Sequence, residues 1–450
     1  MSKKTAIGFG MSQVFYRSPK TSYPVAVRGD GVYLYDEKGK AYLDASGGAA
    51  VSCLGHQHPY VIDAIKSQLD QLSFAHTAFF TNAPQEALAE RLSARFPEKN
   101  SRVYFLSGGS EANETAIKLA RQFWVAGGKP DKYLIISREQ SYHGNTLGAL
   151  SLSGNPQRRK VYQPMLFDWP RIEPCYAYRH QFSTETEQDY GERAANYLQQ
   201  EIDRVGAENV AAFIAEPVVG ATLGVVPAAK GYFERIREIC NKNNILLILD
   251  EVMCGAGRTG HYFAFEADNI VPDIVTLAKG LGGGYQPIGA VICRDHIHNQ
   301  IVDGSGSFAH GHTYIGHATA CAAGLAVMDV IEAEHLLQKV KTSGEVIRTD
   351  LAAAFGEHPF IGDIRGRGLF IGIELVQDKA DKTPHANGGK VATSIKQRAM
   401  SEGLICYPGS GGADGINGCH ILLAPPFIYT SSHIDELVTK LKRVLHVTHF

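Results

Sequence analysis

Residues 245–260 read ILLILDEVMCGAGRTG, and residues 274–279 read IVTLAK. Short, near-continuous runs of Ile, Leu and Val bounded by polar residues read as strands buried on both faces. The first run delivers two carboxylates, Asp250 and Glu251, at its carboxyl tip; the second delivers one amine, Lys279. In open α/β sheets ligands bind outside the carboxyl ends of the strands, so two such strands present charge to one crevice.

Outward from this pair, residues 102–294 alternate apolar runs with amphipathic stretches: VYFL, a helical 110–125, YLIIS, a helical 187–206, AAFIA, a helical 231–243, and finally GAVICR. That alternation predicts a mainly parallel sheet with helices on both faces, an α/β large domain. Residues 317–341 read as one strong helix. Beyond it, 361–377, 391–403 and 433–446 suggest a smaller α+β lobe. Residues 24–45, broken by Gly-Asp-Gly and Glu-Lys-Gly-Lys, read as a small antiparallel meander that packs with that lobe.

At 450 residues the chain is long enough for two lobes. A hydrophobic fraction of 44%, a charged fraction of 20% and a net charge of -2 describe an ordinary globular protein with no long-range attraction to nucleic acid or anionic membrane. Any anion it binds must be held locally. The eight cysteines show no CxxC spacing and read as buried thiols of a reducing compartment. The start of the chain, with Lys3 and Lys4, has no apolar signal core. No segment approaches the ~20 apolar residues of a membrane span, so a cytoplasmic protein is expected.

Lys279, on a buried strand end beside GLGGG, is a candidate for a depressed pKa and Schiff-base chemistry. Asp250 ends an apolar strand, where a carboxylate needs a positive partner; a pyridinium nitrogen would be one. Glu251 is expected to pair with Arg258. SGGSEANETAIKLAR, 107–121, follows VYFL, so Gly109 and Ser110 place a helix N-terminus where it can hold an anion, although Ser110 serves equally as a plain N-cap. Tyr142 and His143 of SYHGNT put an aromatic at another strand end, with Val252 able to press the opposite face of a flat ligand. Glu216, after AAFIA, either faces a substrate or braces the site. His310, His312 and His317 lack an accompanying acid and make a poor metal set, whereas the Thr313 hydroxyl among them is a candidate phosphate donor. Neither a nucleotide P-loop nor a dinucleotide fingerprint is present.

These motifs, in this order, resemble the class III (ω-amino group) aminotransferases, pyridoxal-phosphate enzymes of fold type I. DEVMCGAGRTG, PDIVTLAKGLGGGYQPIGAVI, SGGSEANETAIKLAR, SYHGNT, HGHTYIGHATACAAG and IRGRGLFIGIEL carry the resemblance from about residue 25 to 440. It implies pyridoxal 5'-phosphate as cofactor, a large cofactor-binding domain over 61–325, and a small domain from 1–60 and 326–450. It also implies that Lys279 carries the cofactor and shuttles the proton, and that Asp250 partners the pyridine nitrogen. Val252 and Tyr142 would flank the ring with His143 beside them, Gly109 and Ser110 would form the phosphate cup, and Glu216 would stand on the substrate side. Thr313 would reach the phosphate of the neighbouring subunit, giving a homodimer with a shared active site, or a tetramer built from it.

Three positions where members of the family carry an arginine for a substrate carboxylate hold Asn145, Leu422 and Tyr407 here. Neither tyrosine nor leucine replaces a bidentate guanidinium, so pyruvate is expected over 2-oxoglutarate as acceptor. Arg17 is a candidate carboxylate binder. Ala49 and Ala50 stand where some members place a bulky aromatic, and the glycine-rich 409–419 reads as a flap over the site. The expected activity moves an amino group from a primary amine or ω-amino acid to a small 2-oxo acid by ping-pong kinetics; a decarboxylase, epimerase or lyase on the same fold is the alternative.

Overall fold

The strand Leu246–Asp250 lies at the centre of a seven-stranded sheet in the computed structural model, which describes residues 12–446. Lys3 and Lys4 lie outside the described residues. The sheet runs in the order Arg102–Leu106, Gly289–Cys293, Ile274–Leu277, Leu246–Asp250, Val210–Ala215, Leu134–Arg138, Arg171–Ile172. Only Gly289–Cys293 runs against its neighbours. Its connection from Leu277 contains a tight turn and glycines rather than a helix, and a parallel return needs a longer crossover.

Both faces of the sheet are covered, as near-continuous apolar runs require. Along the central strand, Leu247 and Leu249 pack with Phe213, Tyr232 and Phe263, while Leu246 and Ile248 face the opposite cluster of Ala112, Ala116 and Ile297. Alternate residues of a strand point to opposite faces, so no polar side chain fits within the run. The helix Gly109–Ala126 buries Ala112, Ala116, Ile117 and Ala120 against the second face.

The N-terminal meander forms as expected from Ala26–Asp30, Tyr33–Asp36 and Ala41–Asp44, and Leu404–Ile405 adds to it in parallel, pairing Leu404 with Leu43. Residues 361–378 make the hairpin Ile361–Arg367 and Phe370–Asp378, which continues through Cys419–Leu423 to Tyr407–Ser410. A second core unites Leu43, Val61, Ile371, Ile421 and Leu441, so both ends of the chain build one lobe.

The single helix expected over 317–341 is two helices, Ala318–Ala333 and Leu336–Phe355. His335 adopts φ 50°, a left-handed turn that redirects the chain so that Leu336 and Val340 enter the second core. No glycine or proline marks the break, and apolar periodicity continues across it, which hid the boundary. The expected domain division at 325/326 falls inside the first of these helices. Its Ala320 and Cys321 pack in the core of the large sheet, while Val327 and Ile331 pack in the second core.

A buried charge cluster fastens the two parts together. Glu374, fully buried on the hairpin, accepts hydrogen bonds from Tyr176 Oη (2.7 Å), Arg179 Nη2 (2.6 Å) and Arg365 Nη2 (2.8 Å). Burial alone would raise its pKa, but Arg365 and Arg179 hold it below the ordinary carboxylate value. Glu374→Ala leaves the Arg179 guanidinium without its acid and Arg365 with Asp363 alone, and should cost about 3–5 kcal/mol, read as a shifted denaturant midpoint. Because the folded pKa is depressed, this contribution is present above the ordinary value and is lost as pH falls through the folded one.

No helix among the described residues is long and apolar enough to cross a membrane.

Candidate active site

A cavity of about 340 Å³ opens at the carboxyl end of the sheet, within the size range of small-molecule sites. Five strand ends supply its working residues. Gly109 and Ser110 follow Arg102–Leu106, Tyr142 and His143 follow Leu134–Arg138, and Glu216 follows Val210–Ala215. Asp250 ends its strand, and Lys279 stands two residues beyond Leu277.

Asp250 is 3% exposed and thoroughly held. Its Oδ2 accepts a hydrogen bond from Asn113 Nδ2 (2.8 Å) and lies 2.8 Å from His143 Nδ1; its Oδ1 accepts from Val252 N (3.0 Å). Asn113 is fixed in turn, because Thr276 Oγ1 donates to its Oδ1 at 2.8 Å. The carboxylate therefore has a set direction before any ligand arrives, as preorganised electrostatics requires.

Lys279 lies in a tight turn, Lys279–Leu281, rather than on the strand itself, and takes φ 46°. A left-handed non-glycine residue costs about 1–3 kcal/mol and persists where its surroundings impose it. Here Gly282 N and Gly283 N both donate to the Lys279 carbonyl. Burial lowers the pKa of the amine to about 8, with Arg158 pushing the same way and Asp250 opposing. About a tenth of the amine is thus neutral and nucleophilic at pH 7, and more as pH rises.

Close packing shapes the remaining walls. A Cβ at Gly109 would come within 2.6 Å of Val252 Cγ1, so glycine there lets Val252 approach the helix start. Gly144 takes φ 148°, and a Cβ on it would meet Ser110 Oγ at 2.7 Å. Ser110 Oγ instead accepts a hydrogen bond from Asn145 N at 3.0 Å. Glu216 braces the site: its Oε1 accepts from Tyr142 N (3.0 Å), and its Oε2 from the buried Arg138 Nη2 (3.2 Å). His143 lines the cavity beside Asp250, with its side chain buried.

Several expectations change. Glu251 does not pair with Arg258. Its carboxylate accepts from Ala264 N (2.7 Å) and Phe265 N (2.8 Å), while Arg258 donates to the carbonyls of Leu369 and Pro425. Backbone donors around a buried turn outcompete a guanidinium that the neighbouring lobe already engages. Ala50 is turned away from the cavity into a small core with Val218 and Leu422, and Ala49 lines the wall instead. Tyr407 and Arg17 line the cavity as expected of substrate contacts, and Thr313, expected to act on a neighbouring subunit, is exposed and lies outside it. The glycine-rich segment beyond Ser410 is an internally bonded loop closed by Asp414, with Ile416 O accepting from Gln157 Nε2 at 3.4 Å. Among the described residues, no cluster of three or more His, Cys, Asp or Glu is arranged to hold a metal.

Residues 16–445 match the family model Aminotransferase class-III, and the chain belongs to that family. It is 42% identical over 436 residues to an uncharacterized aminotransferase of Schizosaccharomyces pombe, covering 97% of this chain and 95% of the relative. It is 37% identical to the chloroplastic gamma aminobutyrate transaminase 3 of Solanum lycopersicum, covering 94% and 81%. Among solved structures it is similar to the omega transaminase from Pseudomonas jessenii in complex with PMP, at 35% identity and a TM-score of 0.88, covering 94% and 92%. A thermostable (S)-enantioselective omega-transaminase from Thermomicrobium roseum gives 34% identity and 0.89, covering 98% and 95%.

The protein is therefore an aminotransferase of fold type I that uses pyridoxal 5'-phosphate. The residues present fit that group. A buried, oriented carboxylate, a partly neutral amine and a glycine-opened helix start converge on one cavity between Tyr142 and Val252. Sequence reasoning missed Asn113, Thr276 and Arg138, which touch the ligand space only through Asp250 and Glu216. Asn113 falls one helical turn into the helix that starts at Gly109, a periodic position that reads equally as helix core.

Proposed function

We propose that this aminotransferase moves an amino group from a primary amine or ω-amino acid to a small 2-oxo acid, pyruvate foremost, by ping-pong kinetics. The observation that carries this reading is the buried Asp250 held by Asn113, His143 and Val252 in the same cavity as the Lys279 amine. When bound, the cofactor supplies an electron-withdrawing ring that stabilises negative charge at the substrate carbon. Asp250 would keep a proton on the ring nitrogen, and Tyr142 and Val252 would flank the ring. The helix start at Gly109 and Ser110 receives the phosphate. Lys279 Nζ, whose amine would hold the cofactor, would move the proton at the substrate carbon.

The donor class is supported by the gamma aminobutyrate transaminases among its relatives and the omega transaminases among its structural neighbours. Pyruvate is supported by the vacancy of three guanidinium positions: Leu422 is buried in a strand, Asn145 is exposed, and Tyr407 lines the cavity without a charge. A homodimer with a shared site is supported by Thr313, exposed beside an aromatic patch in which Tyr314, Phe74, His76 and Phe79 follow one another at 5.4–6.4 Å. Phe79 is 80% exposed, and such a patch marks a contact surface. A reducing cytoplasm is supported by eight buried free cysteines.

The test is a panel of taurine, β-alanine, diamines and aromatic amines against pyruvate and 2-oxoglutarate. The expected result is turnover with pyruvate at least about tenfold above that with 2-oxoglutarate, matching one unmade charge-assisted pair. Clear superiority of 2-oxoglutarate would overturn the argument from the vacant positions.

A further inference from the structure

The segment NPQRRK, 155–160, places two arginines side by side on a one-turn helix, Pro156–Arg159. Asn155 caps the turn, its Oδ1 accepting from Arg158 N at 3.1 Å. The two side chains then serve opposite ends. Arg159 is buried and spends one nitrogen, Nη1, on the carbonyls of Leu150, Ser151 and Ser153 at 3.1, 2.6 and 3.0 Å. Its neighbour Arg158 lines the cavity, with its guanidinium carbon 4.3 Å from the centre of the Tyr142 ring. Among the described residues, no acid or carbonyl pairs with the Arg158 guanidinium.

The other charges of the cavity are already engaged. Asp250 is held by Asn113, His143 and Val252, and Glu216 by Arg138 and the Tyr142 amide, leaving no carboxylate to satisfy Arg158. Arg158 is close enough to Lys279 to depress the pKa of the amine, so its charge is felt where substrate reacts. Stacking on an aromatic face holds a guanidinium plane while leaving its edge donors directed outward. Arg17, the other arginine on the cavity wall, is exposed.

We propose that Arg158 is the specificity-determining cation of this active site, binding the carboxylate of the ω-amino acid donor. It lies on a different part of the chain from positions 145, 407 and 422, so the donor carboxylate it takes is not seated where those positions would hold the second carboxylate of 2-oxoglutarate. Arg158→Gln removes the charge and keeps much of the volume. This inference rests on the transamination proposed above.

Two donors of equal chain length, β-alanine and propylamine, separate carboxylate recognition from reactivity. The half-reaction of the cofactor-loaded enzyme with each is followed by loss of visible absorbance, with no acceptor added. In Arg158→Gln the ratio of kcat/KM for β-alanine over propylamine should fall at least about tenfold, and Arg158→Lys should recover part of it. The affinity of stripped enzyme for pyridoxal 5'-phosphate, titrated by absorbance, should stay within about twofold. An unchanged ratio overturns the proposal. So does a tenfold loss of cofactor affinity with the ratio unchanged, which would make Arg158 a phosphate ligand. A fall in the ratio reproduced by Arg17→Gln alone would move the role to Arg17 and overturn it as well. Failure of the parent enzyme with both donors would count against the transamination reading instead.

Discussion

Lys279→Ala is expected to lower turnover by at least about 10⁴-fold, because one side chain supplies both the covalent attachment and the proton transfer. The variant should still bind pyridoxal 5'-phosphate through the Ser110 helix start and Asp250. Its visible absorbance should lack the component that borohydride fixes to the protein. The turn that holds Lys279 depends on backbone bonds to Gly282 and Gly283, so removing the side chain leaves its scaffold intact. Thermal stability of the variant should therefore match that of the parent enzyme stripped of cofactor. Full turnover together with a fixable band would refute the assigned role.

The same amine sets a pH dependence. Its pKa is pulled down to about 8, so the neutral, reactive form grows as pH rises through that value and is about a tenth of the total at pH 7. Reloading of stripped enzyme with cofactor should accelerate about tenfold between pH 7 and 9 and flatten above. A rate unchanged across that range would show that the amine is not the titrating group.

Asp250→Asn is expected to lower kcat/KM by about 10²–10³-fold, the usual scale for one preorganised electrostatic contact. The substitution is nearly isosteric, yet it removes the negative charge and introduces an NH2 among groups that now donate to this carboxylate. Asn113 Nδ2 and Val252 N both point at it. One of those bonds must be lost or the amide must turn, so a buried donor is left unpaired at a cost of about 1–3 kcal/mol. Activity and stability should thus fall together in Asp250→Asn, whereas Lys279→Ala should affect activity far more than stability. Calorimetry of both variants in the stripped state distinguishes the two patterns.

Much of this site was legible in the chain because strand ends announce themselves. Asp250, Glu216 and Tyr142 each follow an unbroken apolar run, and an α/β sheet brings such ends to one edge. What stayed hidden depends on three-dimensional competition. Glu251 and Arg258 look like partners by spacing, but the amides of Ala264 and Phe265 reach the acid first. Ala49 and Ala50 are adjacent and chemically identical, and only the left-handed turn at 47–50 decides which one meets the cavity. Arg158 and Arg159 present the same difficulty with charge. The break at His335 lacks any composition signal, since the apolar period runs through it. Positions 145, 407 and 422 hold no guanidinium, while Arg158 reaches the cavity wall from a segment with no motif of its own.

The central claim is that one cavity runs two half-reactions in which amine and 2-oxo acid exchange a single amino group. Its most direct test is anaerobic titration of the cofactor-loaded enzyme, in the absence of acceptor, with 4-aminobutyrate, whose aldehyde product does not lose carbon dioxide on its own. The visible band should disappear with one equivalent of 2-oxo or aldehyde product per subunit, without carbon dioxide, and pyruvate should restore the band while forming one equivalent of alanine. Release of carbon dioxide, or a band that pyruvate does not restore, would contradict transamination and point to a decarboxylase or lyase on this fold.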